Sequence, residues 1–231
     1  IMIEKELKYL LKEENYKKLY DYFSEYAEKK RYDILTTYYY DTIPYTLIPK
    51  VVFRVRDDQS TLFLSVKAEI KGRLPSENSE NLQISKEFEY EILTYDTQKP
   101  DKIENIFTKF PLEEEQIKSF CKNMELIGFL EKFKKDLGIR ANYLDLIGYT
   151  KTYRFSGLLN LYNIPFELDK TEYFGKGMNR CLGLDYELEV ESEKTEQFES
   201  YISSLFRKLN INSNGFKRKV ERLLEYLDIT I

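Results

Sequence analysis

Two glutamates and a lysine recur at every second position near the start of the chain. The stretch reads Ile3-Glu4-Lys5-Glu6-Leu7-Lys8, and on a β-strand alternate side chains point to the same face. Glu4, Glu6 and Lys8 would therefore share one face, with the two carboxylates about 7 Å apart. Carboxylate oxygens bind hard divalent cations, and the ammonium group beside them would bind an anion. A half-buried strand with a solvated charged face is the alternative interpretation of the same six residues.

Later segments of the chain repeat this alternation of charged and apolar side chains. On the predicted strands the charged faces carry, in chain order, Arg54 and Arg56, then Lys67 and Glu69, then Glu87, Glu89 and Glu91, and finally Glu187, Glu189 and Glu191. The opposite faces carry Val, Leu, Ile, Phe and Tyr. The charges are thus sorted by strand, which indicates a surface with separate acidic and basic zones.

The direction of these charged faces follows from what the helices and the Arg-x-Arg pattern require. Amphipathic helices interleave with the strands and need an apolar sheet surface to cover. Like charges on one strand face destabilise it unless an anion or carboxylates lie opposite. A closed barrel with helices outside and charges inside meets both requirements, whereas a sandwich with its charged faces in water is the simpler alternative. A charged lumen must hold water or a ligand, because a dry, unpaired charge costs several kcal/mol.

Composition excludes several classes of function. The chain has 36 Lys and Arg against 40 Asp and Glu, a net charge of −4, and no histidine. Without histidine there is no Ser-His-Asp or Cys-His triad and no His-ligated zinc, so any metal must have oxygen ligands. Because the two signs are mixed, no extended nucleic-acid surface is expected. With two cysteines and no apolar run near 18 residues, we expect a cytoplasmic protein that does not enter a membrane.

The remaining periodicity predicts where the helices lie. Apolar spacing indicates helices at about 12–29, 195–209 and 216–227, and a helical insert at about 101–136 that Pro111 interrupts. The insert is short and lacks flexible linkers at its ends, so we expect residues 1–231 to form a single domain.

In this order, the motifs resemble those of the CYTH (triphosphate tunnel metalloenzyme) superfamily. Each motif is short, but together they span nearly the whole chain. They are Glu4-x-Glu6-x-Lys8, Tyr39-Tyr40-Asp41-Thr42, Arg54-Val-Arg56, Ser65-Val66-Lys67, Thr152-Tyr153-Arg154, Glu167-Leu168-Asp169, the strand from Asp185 to Glu191, and Lys219-Val220-Glu221-Arg222. The sequence departs from the family pattern in two places. In the family, a basic residue often lies two positions before the glutamates of the central strand, and here Ser85 or Lys86 replaces it. In the second place, strand parity lets only one of Lys151 and Arg154 point inward. The Thr-x-Arg context favours Arg154.

The resemblance implies an α+β fold: a closed eight-stranded antiparallel β-barrel, or tunnel, with helices packed outside. It also implies a site for triphosphate and two divalent metals, Mg²⁺ or Mn²⁺. The implied metal ligands are Glu4, Glu6, Glu187 and Glu189, with Glu89, Asp169 and Glu191 as further candidates. The implied phosphate-binding residues are Lys8, Arg54, Arg56, Lys67, Arg154 and Lys219. The implied catalytic set joins the four principal metal ligands to Lys8, Arg54, Arg56, Lys67 and Arg154.

The expected function is hydrolysis of inorganic triphosphate or a small organic triphosphate, with a divalent metal as cofactor. A class IV-type adenylate cyclase of the same superfamily is the first alternative, and a non-catalytic protein that binds polyphosphate or nucleotides is the second. The expected partner is a small-molecule triphosphate, and a homodimer is left open.

Overall fold

The computed structural model describes residues 2–70, 81–94, 106–159, 163–191, 195–213 and 215–230. Within these ranges the chain forms nine strands and five helices. The strands are β1 (Met2–Leu11), β2 (Ala27–Asp41), β3 (Val52–Asp57), β4 (Thr61–Glu69), β5 (Leu82–Thr94), β6 (Lys109–Pro111), β7 (Tyr143–Leu159), β8 (Ile164–Gly175) and β9 (Gly183–Glu191). The helices are α1 (Glu13–Tyr26), α2 (Glu114–Lys118), α3 (Met124–Asp136), α4 (Thr195–Leu209) and α5 (Lys219–Tyr226).

Eight of the strands form a closed antiparallel barrel, which confirms the predicted fold class. The strand order is β2-β3-β4-β5-β1-β9-β8-β7, and β7 pairs with β2 to close the circle. The short strand β6 pairs with one end of β7 as an extra strand outside the barrel. Closure leaves the eight barrel strands without a continuous open edge. Such an edge is a liability in an antiparallel sheet because it can pair with other chains.

Strand alternation turns the charged faces into the barrel, as the sequence pattern predicts. On β1, Glu4 and Glu6 line the lumen, while Leu7 and Tyr9 point outward and are almost completely buried. Helix α4 covers these two residues, and the ring of its Phe206 meets the ring of Tyr9 edge-on at 5.1 Å. Burying apolar side chains between strands and helices is the main stabilising contribution to such a fold.

Residues 106–136 of the expected helical insert pack on the opposite side of the barrel. They contain β6, α2 and α3, so a short strand accompanies the helices; residues 101–105 lie outside the described ranges. Leu126, Leu130 and Phe133 of α3 join Phe53 and Val55 of β3 in one hydrophobic core. The segment therefore packs over the outer face of the sheet. The assignment of the chain to a single domain stays a prediction.

Helix α5 enters one end of the barrel. Its Leu223 and Leu224 pack against Tyr39 and Tyr173 of the barrel wall. Glycines occupy the strand positions that lie closest to the helix. A Cβ atom at Gly183 would overlap the ring of Tyr226, although the φ angle of Gly183 is one that other residues also adopt. The absence of side chains at these positions lets the helix approach the strands and bring its first residues into the lumen.

Candidate active site

The lumen holds a cavity of about 150 Å³ that all eight barrel strands and α5 line. Its lining is rich in charge, with eight carboxylates and seven basic side chains among the described residues. The carboxylates belong to Glu4, Glu6, Glu69, Glu87, Glu89, Glu167, Glu189 and Glu191. The basic side chains are Lys8, Arg54, Arg56, Lys67, Arg154, Arg218 and Lys219.

A first ionic cluster lies on β1, β3, β4 and β5. The Lys67 ammonium is 2.5 Å from Glu4 and 3.1 Å from Glu6, and Arg54 contacts Glu87 at 3.0 Å. Burial opposes ionisation of Glu87, but Arg54 and its other partners outweigh burial and hold the pKa of this carboxyl below its usual range. Burial and a hydrogen bond with Glu87 instead raise the pKa of Glu4 to about 7. The two neighbouring carboxyls therefore differ in how readily they ionise.

A second ionic cluster lies on β7, β8, β9 and α5. Oxygen atoms of Asp169, Glu187 and Glu189 all lie within 4.8 Å of one another. Arg154 grips Asp169 through two nitrogens, at 2.8 and 2.7 Å, and the Lys219 ammonium lies 2.9, 3.0 and 2.6 Å from Asp169, Glu187 and Glu189 respectively. Burial opposes ionisation of Glu189, but Lys219 and Lys8 outweigh it and hold its pKa well below the usual range. This carboxylate is charged.

Lys8 joins the two clusters. Its ammonium lies 3.0 Å from Glu6 and 3.2 Å from Glu189. Register explains the position, because Lys8 pairs directly with Glu189 where β1 runs beside β9. The sequence analysis singled out Glu4 and Glu6 at one end of the chain and Glu187 and Glu189 near the other, and the barrel brings these four carboxylates to the same lumen.

Arg56 differs from the other basic side chains of the lumen. It points inward beside Arg54, yet it forms no ion pair with any residue that the structure describes, and its buried Nε donates no hydrogen bond. Arg54 and burial together lower the pKa of Arg56. The Arg56 side chain is half-buried, and a guanidinium that is partly removed from water without an ion-pair partner is destabilising, so this position favours a bound anion.

The remaining predicted site residues lie at different depths. Glu89 and Glu191 line the cavity with exposed side chains, whereas Asp169 and Glu187 are buried behind its surface. Arg154 lines the cavity, and Lys151 lies outside the lumen over the ring of Tyr153. The structure therefore places the arginine, rather than the lysine, inside.

Five charged residues of the site are missing from the predicted set, and one of them is Glu69, which lines the cavity from β4, two positions from Lys67. Glu87 and Glu167 lie on the inward faces of β5 and β8, two positions from Glu89 and Asp169, so strand parity could have identified them. Arg222 contacts Glu187 at 2.8 Å from within α5. Arg218 lines the cavity just before α5 and forms an ion pair with Glu221, and no pattern in the sequence indicates this position.

The donor atoms of the second cluster fit a hard divalent metal. Asp169, Glu187 and Glu189 offer only carboxylate oxygens, which suit Mg²⁺ and Mn²⁺. An ammonium group, that of Lys219, already lies among them as a cation. The Glu187 Oε1 atom is buried and accepts no hydrogen bond, although the Lys219 ammonium lies 3.0 Å away.

Comparison with known proteins identifies a family and a set of similar folds. A sequence model of the CYTH domain matches residues 2–223, and no curated protein sequence is significantly similar to the chain. The structure of HpAC1 from Hippeastrum, an adenylyl cyclase candidate described as having a dominant triphosphatase activity, is 19% identical over 99% of this chain and 97% of its own, with a TM-score of 0.67. An adenylate cyclase candidate from Bacillus halodurans is 18% identical over 94% and 95%, with a TM-score of 0.60.

A viral enzyme shares the same fold. The mimivirus capping-enzyme triphosphatase is 13% identical over 90% of this chain and 89% of its own, with a TM-score of 0.50.

Within the described ranges, no helix combines the length and the apolar character needed to cross a membrane.

Proposed function

The chain belongs to the CYTH domain family, and from this premise we propose that it is a divalent-metal-dependent triphosphatase. Its substrate would be inorganic triphosphate or a small organic triphosphate bound in the barrel lumen. The triphosphatase activities described for the structures from Hippeastrum and mimivirus support this choice of reaction.

The observation that carries the proposal is the unpaired Arg56. Among the cavity-lining cations it is the one without an ion pair to a described residue, and it stands beside Arg54 on the same strand face. A phosphate oxygen would satisfy its buried Nε and relieve the repulsion between the two guanidinium groups. Lys67 and Lys8 line the same cavity and would bind further phosphate oxygens as point charges.

The charge balance of the lumen explains why a metal is needed. Carboxylates and cations are nearly equal in number along the cavity, so a triphosphate would enter as an uncompensated polyanion. When bound, a divalent metal would neutralise phosphate charge and lower the pKa of a coordinated water. The residues that would hold it are Asp169, Glu187 and Glu189, together with Glu4 and Glu6 on β1, the strand that neighbours β9. Arg54, Arg56 and Lys67 would stabilise the charge that develops on the transferring phosphoryl group.

The cavity size favours hydrolysis of a small substrate over cyclisation of ATP. Sites that enclose a drug-sized ligand have volumes of roughly 300–1,000 Å³, and this cavity has about 150 Å³. A triphosphate group suits such a space better than a complete nucleotide. Because two of the similar structures are described as adenylate cyclase candidates, cyclic AMP formation is the second function to test.

Phosphate release from a panel of triphosphates, with Mg²⁺, Mn²⁺ or Ca²⁺, tests the proposal. We expect phosphate from inorganic triphosphate with Mg²⁺ or Mn²⁺, and ADP rather than cyclic AMP as the product of any ATP turnover. Cyclic AMP with pyrophosphate would instead identify a cyclase. Thermal stabilisation by triphosphate without turnover under any metal would identify a non-catalytic binder and refute the proposal.

Replacing one central carboxylate should remove the activity. In Glu6→Ala we expect metal-dependent phosphate release to fall at least about a hundredfold, because Glu6 faces the lumen between Lys8 and Lys67. The matched control is Glu25→Ala, which removes an exposed glutamate of α1 and should leave turnover unchanged. Undiminished turnover in a folded Glu6→Ala protein would contradict the assignment.

A further inference from the structure

The Lys219 ammonium occupies the place that suits a metal ion. Its Nζ atom lies within 3.0 Å of Asp169, Glu187 and Glu189, the three residues whose oxygens are grouped within 4.8 Å. All three carboxylates are at least nine-tenths buried, so little water competes with the ammonium for them. The cluster is therefore a cation site whose present occupant is a side chain of the same chain.

The ammonium satisfies this site incompletely. It donates hydrogen bonds to Asp169 Oδ2 at 2.9 Å and to Glu189 Oε1 at 2.6 Å. Glu187 Oε1 receives no hydrogen bond although the Nζ atom is 3.0 Å away. An ammonium has three N–H donors in tetrahedral directions, whereas a divalent ion attracts every surrounding oxygen and carries twice the charge. A divalent metal could thus interact with more of these carboxylate oxygens than the Lys219 ammonium does.

We propose that Lys219 and a divalent metal are alternative occupants of these three carboxylates, and that metal binding displaces the ammonium into the cavity. The idea rests on the proposed function for the role of the metal. A metal ion that binds all three carboxylates would take the position of the Lys219 Nζ atom, and repulsion prevents two cations from occupying one position. Metal binding at this cluster therefore requires the ammonium to leave.

The structure gives the displaced ammonium a destination. Lys219 is the first residue of α5 and already lines the cavity, and its flexible four-carbon stem can turn without moving the helix. Arg222 anchors α5 independently through its contact with Glu187 at 2.8 Å, as do Leu223 and Leu224 in the apolar packing. Once displaced, the ammonium becomes available to a phosphate oxygen. Lys219 thus makes triphosphate binding depend on prior metal binding.

Mn²⁺ binding to a Lys219→Met variant, measured by calorimetry without any phosphate, tests the exchange. Methionine resembles the lysine stem in length and carries no charge, so Mn²⁺ no longer has to displace an ammonium. We expect Mn²⁺ affinity to rise on the order of tenfold. The matched control is Lys217→Met, because Lys217 pairs with Glu225 on the outer surface of α5 and its replacement should leave Mn²⁺ affinity unchanged.

Labelling of the wild-type protein gives a second measurement that does not depend on how the variant folds. Reductive methylation followed by peptide mass spectrometry reports the accessibility of each lysine amine. We expect Lys219 to react slowly without metal and several-fold faster with Mn²⁺, while Lys217 reacts equally in both states. A Lys219 reactivity that is unchanged or lower with Mn²⁺ overturns the exchange.

The outcomes separate this inference from the function proposed above. Unchanged or weaker Mn²⁺ affinity in a folded Lys219→Met protein refutes the exchange, whatever the enzyme hydrolyses. Neither measurement uses triphosphate, so a failure to release phosphate refutes the proposed function and leaves the exchange to be judged on metal binding and amine reactivity.

Discussion

Arg54 and Arg56 lie two residues apart on one strand face but meet different surroundings. Arg54 donates to Ser65 at 3.1 Å and to Glu87 at 3.0 Å, whereas Arg56 forms no ion pair with the described residues. These contacts tie Arg54 to the neighbouring strands, whereas no such contact with a described residue holds Arg56. Substitutions at the two positions should therefore affect stability and ligand binding differently.

Replacing Arg56 should weaken ligand binding without weakening the fold. For Arg56→Gln we expect the free energy of unfolding to stay the same or rise, because a half-buried, unpaired charge beside Arg54 is removed. Tripolyphosphate affinity should fall by about tenfold or more, which corresponds to the loss of a charge-assisted hydrogen bond of about 1.5–3 kcal/mol. Calorimetric titration and urea denaturation measure the two quantities.

The matched variant is Arg54→Gln, which leaves Glu87 buried without its guanidinium. Breaking a buried pair costs about 3–5 kcal/mol, so this variant should unfold at much lower urea concentration. Equal destabilisation by the two substitutions would contradict the difference in their environments.

The protonation of Glu4 predicts a pH dependence of stability. Burial and the hydrogen bond with Glu87 raise its pKa from 4.5 to about 7, so the folded chain holds this proton more tightly than the unfolded chain. The stabilising contribution is fully present below pH 4.5 and is lost as the pH rises through about 7. Glu4→Gln is neutral at every pH and avoids this loss.

We expect the melting temperature of metal-free Glu4→Gln, relative to wild type, to rise between about pH 5 and 8. Calorimetry at several pH values measures the difference. Glu25→Gln, which changes an exposed side chain of α1, is the control and should show no such trend. A pH-independent difference for Glu4→Gln would show that this carboxyl ionises in the ordinary range.

At the scale of elements, the fit of α5 into the barrel depends on glycine. A Cβ atom at Gly183 would overlap the ring of Tyr226, so Gly183→Ala should push α5 outward and cost about 1–3 kcal/mol. Gly128→Ala is the matched control, because Gly128 lies within α3 with no atom within 4 Å of the added methyl. That substitution should stabilise the protein by about 0.5–1 kcal/mol. Urea denaturation of both variants tests the contrast.

The periodicity of apolar and charged side chains made most of these elements predictable from the sequence. The contacts between side chains of different strands were not predictable in this way. The predicted helix 195–209 has the same bounds as α4, because its apolar periodicity is regular. Strand β6 has only three residues, too few for any period. Arg56 and Lys67 look alike in the sequence, yet one is unpaired and the other touches Glu4 and Glu6. That difference arises only when distant strands meet across the lumen.

At the scale of the whole molecule, the distribution of charge matters more than its sum. The net charge is −4, which would repel a polyphosphate from the surface. Seven basic side chains nevertheless line one cavity, where the barrel wall separates them from bulk solvent and screening ions. Eight carboxylates line the same cavity, so a composition without a basic excess is compatible with cations gathered locally in the lumen.

The pairing of β2 with β7, which closes the barrel, can form only late in folding. Thr37 pairs with Thr150, so a long stretch of chain must be made and folded back before the ring of strands can close. Pairings so distant in sequence have a high entropic cost and slow the rate at which a chain folds. Until closure, β2 exposes a hydrogen-bonding edge that can capture other chains. A nascent copy on the ribosome is thus most vulnerable to aggregation before β7 emerges.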